Sequence, residues 1–219
     1  MSVTIHIIHT RLAQAYLIEN DHGLYLVDTG EPGAGHRIVE TIQRLGCKDL
    51  RLIFLTHAHF DHAGSAAEVK LKTGAPIAIH RADAVDLATA RTTLGTSHGR
   101  GRLASPFVGL VNRFFRPHPV LADLLLEDGA SLEAYGLAAF VLHTPGHTKG
   151  SCSLIVENHL AFVGDLLSTT GRPRLQPYYA QDWSMLPDSL ERLLAYQPAW
   201  VYTGHGRPAA RDELVTILR

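Results

Sequence analysis

The sequence is poor in cysteine, with only two among its 219 residues. Cys47 and Cys152 do not form a Cys-x-x-Cys pair, and two cysteines cannot build the disulfide framework that staples small secreted domains. Both lie in apolar surroundings, which is typical of small buried side chains. The cysteine content therefore fits a reducing compartment and excludes a disulfide-stabilised class.

The sequence also has no excess of one charge sign, because it contains 20 Lys and Arg residues and 21 Asp and Glu residues. No overall field draws such a chain onto nucleic acid or an anionic membrane. No apolar run approaches the ~20 residues that a membrane-spanning helix needs, and the first residues lack the basic and apolar regions of a signal peptide. We expect a soluble, cytoplasmic protein that binds neither nucleic acid nor membranes.

The chain has the composition of a folded protein. Hydrophobic residues make up 46% of it and charged residues 19%, which excludes disorder. A domain usually holds about 100–200 residues, so the length predicts one domain over residues 1–219.

Blocks rich in strands, each followed by helices, occur twice along the chain. In the first half, strands are predicted at residues 3–8, 15–18, 24–27, 52–55 and 77–80, with helices at 38–45, 65–72 and 82–90. In the second half, strands are predicted at 137–142, 153–156, 160–163 and 200–203, with helices at 185–196 and 212–218. This order predicts an α+β fold in which two sheets carry helices on their outer faces.

Residues 91–122 interrupt that order. They contain five arginines and no Asp or Glu, together with several Gly and Pro residues. Leu103, Phe107, Leu110, Val111 and Phe114 fall on one helical face, so we predict an inserted loop–helix segment. The segment could be a lid or substrate wall whose arginines meet a carboxylate or phosphate. It could equally be a dimer-forming or merely solvated helix.

The strongest chemical signal is the sequence His57-x-His59-x-Asp61-His62, which follows a predicted buried strand. Three imidazoles and a carboxylate within six residues are poor core material, because each would need a buried polar partner. They are good ligands for a metal such as Zn²⁺, which takes His nitrogen and carboxylate oxygen. One metal rarely uses four ligands from so short a segment, so the spacing indicates two metals.

Three more segments each supply one candidate ligand after a predicted strand, and glycine lies beside each one. The candidates are His147, Asp165 and His205. Because glycine lets backbone segments approach closely, ligands at such strand ends suit a convergent site.

Taken together, these motifs resemble the metallo-β-lactamase superfamily of hydrolases. The resemblance implies a four-layer αββα sandwich with a metal site at one edge, between the two sheets. It also implies two Zn²⁺ ions per chain, although Fe or Mn would suit the same ligands. The first metal would be held by His57, His59 and His147, and the second by Asp61, His62 and His205, with Asp165 bridging both.

The resemblance is to the branch with a bridging aspartate, which includes glyoxalase II-like thioesterases and acyl-homoserine-lactone lactonases. Members that hydrolyse β-lactams lack that aspartate, and several use a Cys ligand that this sequence does not offer. We therefore expect a dinuclear zinc hydrolase of a small carbonyl ester, thioester or lactone. Two dications make hydroxide available at neutral pH for attack on the carbonyl. Asp61 or Asp165 is expected to relay the proton, so both are candidate catalytic residues.

Two other functions remain open at this stage. The first is a persulfide dioxygenase-like oxidoreductase, which shares the fold and would hold one iron through His57, His147 and Asp165. The second is a metal-stabilised binding module without activity. The expected partner is a small-molecule substrate, and a homodimer is possible.

Supporting residues are also predicted around the ligands. Asp28, Thr56 and His143 are candidates for orienting ligand imidazoles, since metal-bound His usually donates its second N–H to a neighbouring acceptor. Tyr178 and Tyr179 lie between Asp165 and His205 in sequence, and a phenol there could donate to a developing oxyanion.

Overall fold

The computed structural model describes residues 3–46, 49–103, 116–214 and 217. In these residues two sheets lie face to face, and helices cover the outer face of each sheet. The predicted α+β class and αββα sandwich are therefore confirmed. Within the described part of the chain, no helix is long and apolar enough to cross a membrane.

The first sheet starts as an antiparallel meander and continues with parallel strands. Its strands are β1 (Thr4–His9), β2 (Gln14–Asn20), β3 (Gly23–Val27), β4 (Leu50–Leu55), β5 (Ile77–His80) and β7 (Leu124–Leu126). They lie in this order across the sheet, so β4 is a central strand with a parallel neighbour on each side.

The second sheet is mixed, and its central strand is the longest that the structure describes. Its strands are β8 (Ala139–His143), β9 (Cys152–Val156), β10 (Leu160–Ser168), β13 (Trp200–His205) and β14 (Ala209–Ala210), in the spatial order β14-β13-β10-β9-β8. The short β11 (Arg174–Leu175) pairs with β10. A separate two-stranded ribbon joins β6 (Thr96–Ser97) to β12 (Tyr179–Ala180).

The helices pack on the outer faces or connect the strands. They are α1 (Gly35–Arg44), α2 (Phe60–Ala63), α3 (Ala66–Thr73), α4 (Ala84–Thr89), α5 (Met185–Ala195) and α6 (Arg211–Leu214), with 3-10 helices at Arg81–Asp83 and Glu133–Tyr135. Apolar residues of α1 and α3 pack on the first sheet, and those of α5 pack on the second.

The two-residue period of a strand explains why the central strands have no polar face. In β4, Leu52 and Phe54 point between the sheets, whereas Ile53 and Leu55 point to the outer helices. In β10, Phe162 likewise lies between the sheets. A strand that is covered on both faces must be apolar throughout, so these runs end abruptly where polar residues begin.

The predicted insertion at 91–122 is described only at its two ends, because residues 104–115 lie outside the described residues. Most of the predicted helical face from Leu103 to Phe114 falls there, so that helix stays a prediction. The first end contains β6, whose pairing with β12 ties the insertion to the chain segment that follows β10.

Candidate metal centre

The first sheet presents its ligand candidates where β4 ends. His57 and His59 lie on the loop that leaves the strand, and Asp61 and His62 lie in the short helix α2. The loop brings His57 and His59 together with His147, whereas the helix brings Asp61 and His62 together with His205. This division agrees with the two metals that the spacing indicated.

The second sheet supplies the other three candidates. His147 lies on the loop after β8, as predicted, but the loops predicted for Asp165 and His205 are wrong. Asp165 lies within β10, and His205 is the last residue of β13. Gly164 has a φ of 50°, and the pairing of β10 with β13 shifts register there, so Asp165 leaves the regular alternation of the strand.

The seven predicted ligands converge into overlapping groups, in which the possible ligand atoms lie within 4.8 Å of one another. The groups are His57, His59 and His147; Asp61, His62 and His205; and His57, His62 and Asp165. The first two are the two ligand sets that the family resemblance implied.

Asp165 lies between those two sets. Its Oδ1 is 3.2 Å from Nε2 of His62 and 3.3 Å from Nε2 of His205, while its Oδ2 is 3.4 Å from Nε2 of His147. This is the placement that a carboxylate bridging two cations requires.

Backbone carbonyls orient two of the imidazoles. Nε2–H of His59 donates to the carbonyl oxygen of Thr93 at 3.2 Å, and Nδ1–H of His147 donates to that of Tyr179 at 2.8 Å. The two remaining nitrogens, Nδ1 of His59 and Nε2 of His147, then carry lone pairs and lie 2.9 Å apart. Two facing lone pairs repel each other, and a cation that both nitrogens coordinate would remove the repulsion.

A buried carboxylate orients two more imidazoles from below. Asp28 accepts from Nδ1–H of His62 at 2.8 Å and from the Thr56 hydroxyl at 2.9 Å. Because the single hydroxyl hydrogen of Thr56 points to Asp28, its oxygen accepts from Nδ1–H of His57 at 3.0 Å. The neutral ring of His57 therefore presents an unprotonated Nε2 to the centre. Burial lowers the pKa of His62, but Asp165 and Asp28 outweigh it and raise the pKa well above its usual value, so Nε2 of His62 must lose a proton before it can bind a cation. The roles predicted for Asp28 and Thr56 match these contacts.

The charges of the site favour cation binding. Burial, followed by the neighbouring His62 and His59, lowers the pKa of His57 well below its usual value. Burial and then His59 lower the pKa of His147 to about 4. Both rings are therefore neutral and able to act as ligands near pH 7.

The carboxylates of the site are ionised. Burial raises the pKa of Asp165, but the charges of His205 and His62 outweigh it and hold the pKa well below its usual value. At Asp61 burial acts in the same direction, yet His62 and His205 lower its pKa to about 2. Burial lowers the pKa of His205, but Asp165 and Asp61 raise it to about 10.

Buried polar atoms without hydrogen-bond partners show whether metal ions would suit this site. Nε2 of His57, Nε2 of His62 and Oδ1 of Asp165 are buried and have no hydrogen-bond partner within the described residues. A buried polar group without a partner costs about 1–3 kcal/mol, and metal coordination satisfies it. The donor set of imidazole nitrogen and carboxylate oxygen suits Zn²⁺ or Fe²⁺.

Asp83 ties the ligand loops together, and the sequence analysis missed it. It is buried in the 3-10 helix that follows β5, where it accepts from the Ala58 N–H at 3.0 Å, the Thr148 hydroxyl at 2.8 Å and the Gly150 N–H at 2.8 Å. Its signal was available, because parallel strands such as β4 and β5 end at the same sheet edge.

Gln176 is a second residue that the sequence analysis missed. Its Nε2 donates to Oδ2 of Asp165 at 2.9 Å and to the backbone carbonyl of Asp165 at 3.2 Å. The side chain is buried and therefore fixes the orientation of the carboxylate. Nothing in the local sequence marks this residue.

Two glycines are required by close approach. A Cβ on Gly204 would collide with Cε1 of His62 and lie 2.8 Å from Oδ1 of Asp165. A Cβ on Gly164 would collide with the hydroxyl of Thr56. The expectation that glycine allows the strands to approach the ligands is therefore correct at both positions.

A cavity of about 380 Å³ opens onto the centre, and five of the candidate ligands lie in its wall. Tyr178 and Tyr179 line it as well. The Tyr179 hydroxyl donates to the carbonyl oxygen of Gly101 at 3.1 Å, so this phenol is engaged in holding the insertion.

His143 does not belong to the centre. Its ring stacks on His80 with the centroids 4.1 Å apart, and its Nε2–H donates to the Lys149 carbonyl at 2.9 Å. The prediction that it orients a ligand imidazole is therefore wrong.

The segment Gly95-Thr96-Ser97-His98-Gly99 has the Gly-x-Ser-x-Gly spacing of a serine nucleophile elbow. An elbow needs a strand-to-helix turn, whereas Thr96 and Ser97 form the short strand β6. His98 stacks on Trp183, and within the described residues no histidine hydrogen-bonds to Ser97. The segment therefore does not form a serine triad.

Comparison with known proteins decides the family. Residues 10–205 match the metallo-beta-lactamase superfamily. The chain belongs to this superfamily. The match includes the central strands of both sheets and all seven candidate ligands, so the predicted resemblance is confirmed.

Its curated relatives include metallo-hydrolases. The chain is 32% identical over 196 residues to the probable metallo-hydrolase YqgX of Bacillus subtilis (strain 168), covering 89% of this chain and 85% of that protein. It is 29% identical over 182 residues to the hydroxyacylglutathione hydrolase of Shewanella pealeana (strain ATCC 700345 / ANG-SQ1), covering 80% of this chain but only 56% of that protein. This superfamily member is a metal-dependent hydrolase.

Two solved structures are similar along nearly the whole chain. BLEG-1, a B3 metallo-beta-lactamase, has a TM-score of 0.75 and 25% identity, covering 96% of this chain and 95% of its own. TTHA1623 in a di-iron-bound form has a TM-score of 0.72 and 28% identity, covering 98% of both chains.

Proposed function

We propose that this superfamily member is a dinuclear zinc hydrolase of a small carbonyl ester, thioester or lactone. The observation that carries the proposal is the pair of three-residue ligand groups with Asp165 between them. In this proposal His57, His59 and His147 would hold one cation, Asp61, His62 and His205 would hold the other, and Asp165 would be shared between them.

The chain's own residues have separate tasks around the reacting carbonyl. Two bound dications would supply Lewis-acid polarisation of the carbonyl and a water of lowered pKa. Asp28, Thr56 and Gln176 hold the ligands in orientation, so little reorganisation accompanies the reaction. Asp61 and Asp165 line the cavity with ionised carboxylates, which can accept a proton and return it to the leaving group.

The names of similar proteins suggest which bonds to test as substrates. The name of one relative, hydroxyacylglutathione hydrolase, supports including an acylated glutathione, a thioester, among the candidate substrates. The B3 metallo-beta-lactamase neighbour makes a β-lactam the competing substrate. A chromogenic cephalosporin therefore belongs in the same panel as p-nitrophenyl esters, thioesters and lactones.

Metal analysis of the purified full-length protein tests the proposal. We expect two zinc ions per chain, loss of esterase activity after treatment with a chelator, and recovery when zinc is added back. Faster hydrolysis of the cephalosporin than of every ester, thioester and lactone would contradict the choice of substrate.

A matched pair of variants distinguishes an effect on the metal centre from the effect of removing a carboxylate elsewhere on the protein. Asp165→Asn should lower the zinc content below two per chain and reduce kcat/KM at least about 100-fold, the upper end of what losing an outer partner of a ligand costs. Asp188→Asn changes an exposed aspartate on α5 and should leave both values as in the parent protein.

The same analysis decides the iron-dependent alternative. The di-iron-bound neighbour shows that a similar fold accepts iron. One iron per chain, together with O₂ uptake in the presence of glutathione persulfide, would favour the oxidoreductase over the hydrolase. Cytoplasmic location and a homodimer stay predictions.

A further inference from the structure

We propose that the substrate carries an uncharged, apolar acyl group, which occupies the cavity beside the candidate metal centre. This inference rests on the proposed hydrolase function and names the class of its substrate. Three features of the cavity carry it: an apolar wall, the absence of a cationic side chain from the described lining, and a leucine fixed at the mouth.

Apart from the ligands, the wall of the cavity is mainly apolar. It is formed by Leu12, Phe60, Leu94, Pro177 and Tyr178, which come from four different segments of the chain. Besides the ligands, the polar lining residues are Ser168, Thr170, Gln176 and Tyr179. The Gln176 amide already donates to Asp165, and the Tyr179 hydroxyl already donates to the Gly101 carbonyl. The volume of about 380 Å³ is within the range of small-molecule sites.

No Lys or Arg lines this cavity among the described residues. Arg116, at the end of the insertion, instead lines a separate cavity with Pro32 and Leu71. Arg102 is exposed and donates to the Ser97 carbonyl at 3.3 Å. A substrate carboxylate distant from the metals would lose its hydration without a cationic partner, which is unfavourable. The described arginines therefore give no support to the idea that the insertion binds an anionic substrate group.

Leu12 stands at the mouth with 45% of its surface exposed, yet its backbone is held firmly. The buried carboxylate of Glu31 accepts from the N–H of Arg11 at 3.1 Å and from the N–H of Leu12 at 3.2 Å. An exposed leucine on a pinned turn presents apolar surface at a defined position, as contact with an apolar ligand requires.

Binding of product-like carboxylates tests the inference without relying on turnover. Octanoate and octanedioate differ only in a second charged end, and both can be titrated calorimetrically into the zinc-loaded full-length protein. We expect octanoate to bind at least tenfold more tightly than octanedioate. Affinity from butanoate to octanoate should rise by up to about fourfold for each added methylene, since each buried methylene contributes about 0.8 kcal/mol.

A substitution at the mouth should reverse the preference. Leu12→Arg adds a cation at an exposed position, so it should weaken octanoate binding and strengthen octanedioate binding until the two are within about threefold of each other. Leu71→Arg is the matched control, because Leu71 is 86% exposed on α3 and does not line this cavity. It should keep the parent preference.

The outcomes separate the two proposals. Equal binding of the two acids, or tighter binding of octanedioate, overturns the apolar acyl group even if esters are hydrolysed. Preference for octanoate without zinc-dependent hydrolysis of any ester, thioester or lactone supports the apolar pocket and overturns the proposed hydrolase function.

Discussion

At the scale of single residues, Asp28 has a strained backbone conformation and orients a candidate metal ligand. Its φ of 59° lies in the left-handed region, which Asp tolerates better than most residues. This conformation follows directly after β3 and directs the carboxylate beneath the centre, where it contacts Thr56 and His62. A strained backbone at a residue that orients a ligand is typical of functional sites.

The first prediction concerns that carboxylate. Asp28→Asn removes the charge that accepts from Nδ1–H of His62, so zinc affinity at the Asp61–His62–His205 group should fall about 10- to 100-fold. Competition with a chromophoric chelator measures it. Asp188→Asn should have no effect, and an unchanged affinity in Asp28→Asn would show that Asp28 does not act through His62.

The second prediction concerns close approach. Gly204→Ala places a methyl group against His62 and Asp165, so we expect loss of at least one bound zinc and of most hydrolase activity. Gly74→Ala is the control, because its Cβ would meet no atom within 4 Å and only its φ of 74° is unfavourable. The control should lose about 1–2 kcal/mol of unfolding free energy and keep both metals. Full zinc content in Gly204→Ala would contradict the prediction.

At the scale of elements, α5 closes the outer face of the second sheet. Leu186, Leu190 and Leu193 recur at helical spacing, and all three are buried against β10 and its neighbours. Contact with the sheet removes this apolar stripe from water, and this stabilises the helix in its place. Its predicted bounds, 185–196, agree with the observed helix Met185–Ala195 to one residue.

The third prediction measures what that helix contributes. Leu190→Ala leaves a cavity in a fully buried position, so the free energy of unfolding should fall by about 2–5 kcal/mol in urea denaturation. Leu71→Ala truncates a leucine that is 86% exposed and should stay within about 0.5 kcal/mol of the parent protein. Equal losses in the two variants would mean that α5 does not pack as described.

At the scale of the whole molecule, the centre joins the two sheets. The first sheet supplies four candidate ligands and the second supplies three, and Asp83 from the first sheet accepts from Thr148 and Gly150 near the second. Metal binding to such a site requires both sheets to be folded and docked. The metals should therefore stabilise the molecule as one unit.

The fourth prediction follows from that coupling. Removing the metals with a chelator should lower the midpoint of thermal unfolding, because a ligand at 100 times its Kd contributes about 2.7 kcal/mol. For a chain of this length that corresponds to a shift of at least about 5 °C. Asp165→Asn should show a smaller shift on chelation. An identical midpoint with and without chelator in the parent protein would contradict the coupling.

Much of the fold was predictable because its signals are local. Residues 52–55, the buried part of β4, form an uninterrupted apolar run that predicts a strand, and the spacing of Ile38 and Ile42 predicts helix α1. The extent of β10 was not predictable, since Gly164 and Asp165 are a turn-like pair that only pairing with β13 keeps in a strand. Residues 104–115, where most of the predicted insertion helix falls, lie outside the described residues.

The sequence by itself determined the family of this protein and which seven side chains are its candidate metal ligands, at the ends of apolar strands. Only the tertiary structure decided how these side chains are oriented and which residues surround them. The carbonyls of Thr93 and Tyr179, the amide of Gln176 and the wall at Leu12 act on the centre from distant segments. Every residue has a backbone carbonyl, and many have an amide or an apolar side chain. The roles of these particular groups therefore depend on where the fold places them, and no sequence pattern identifies them.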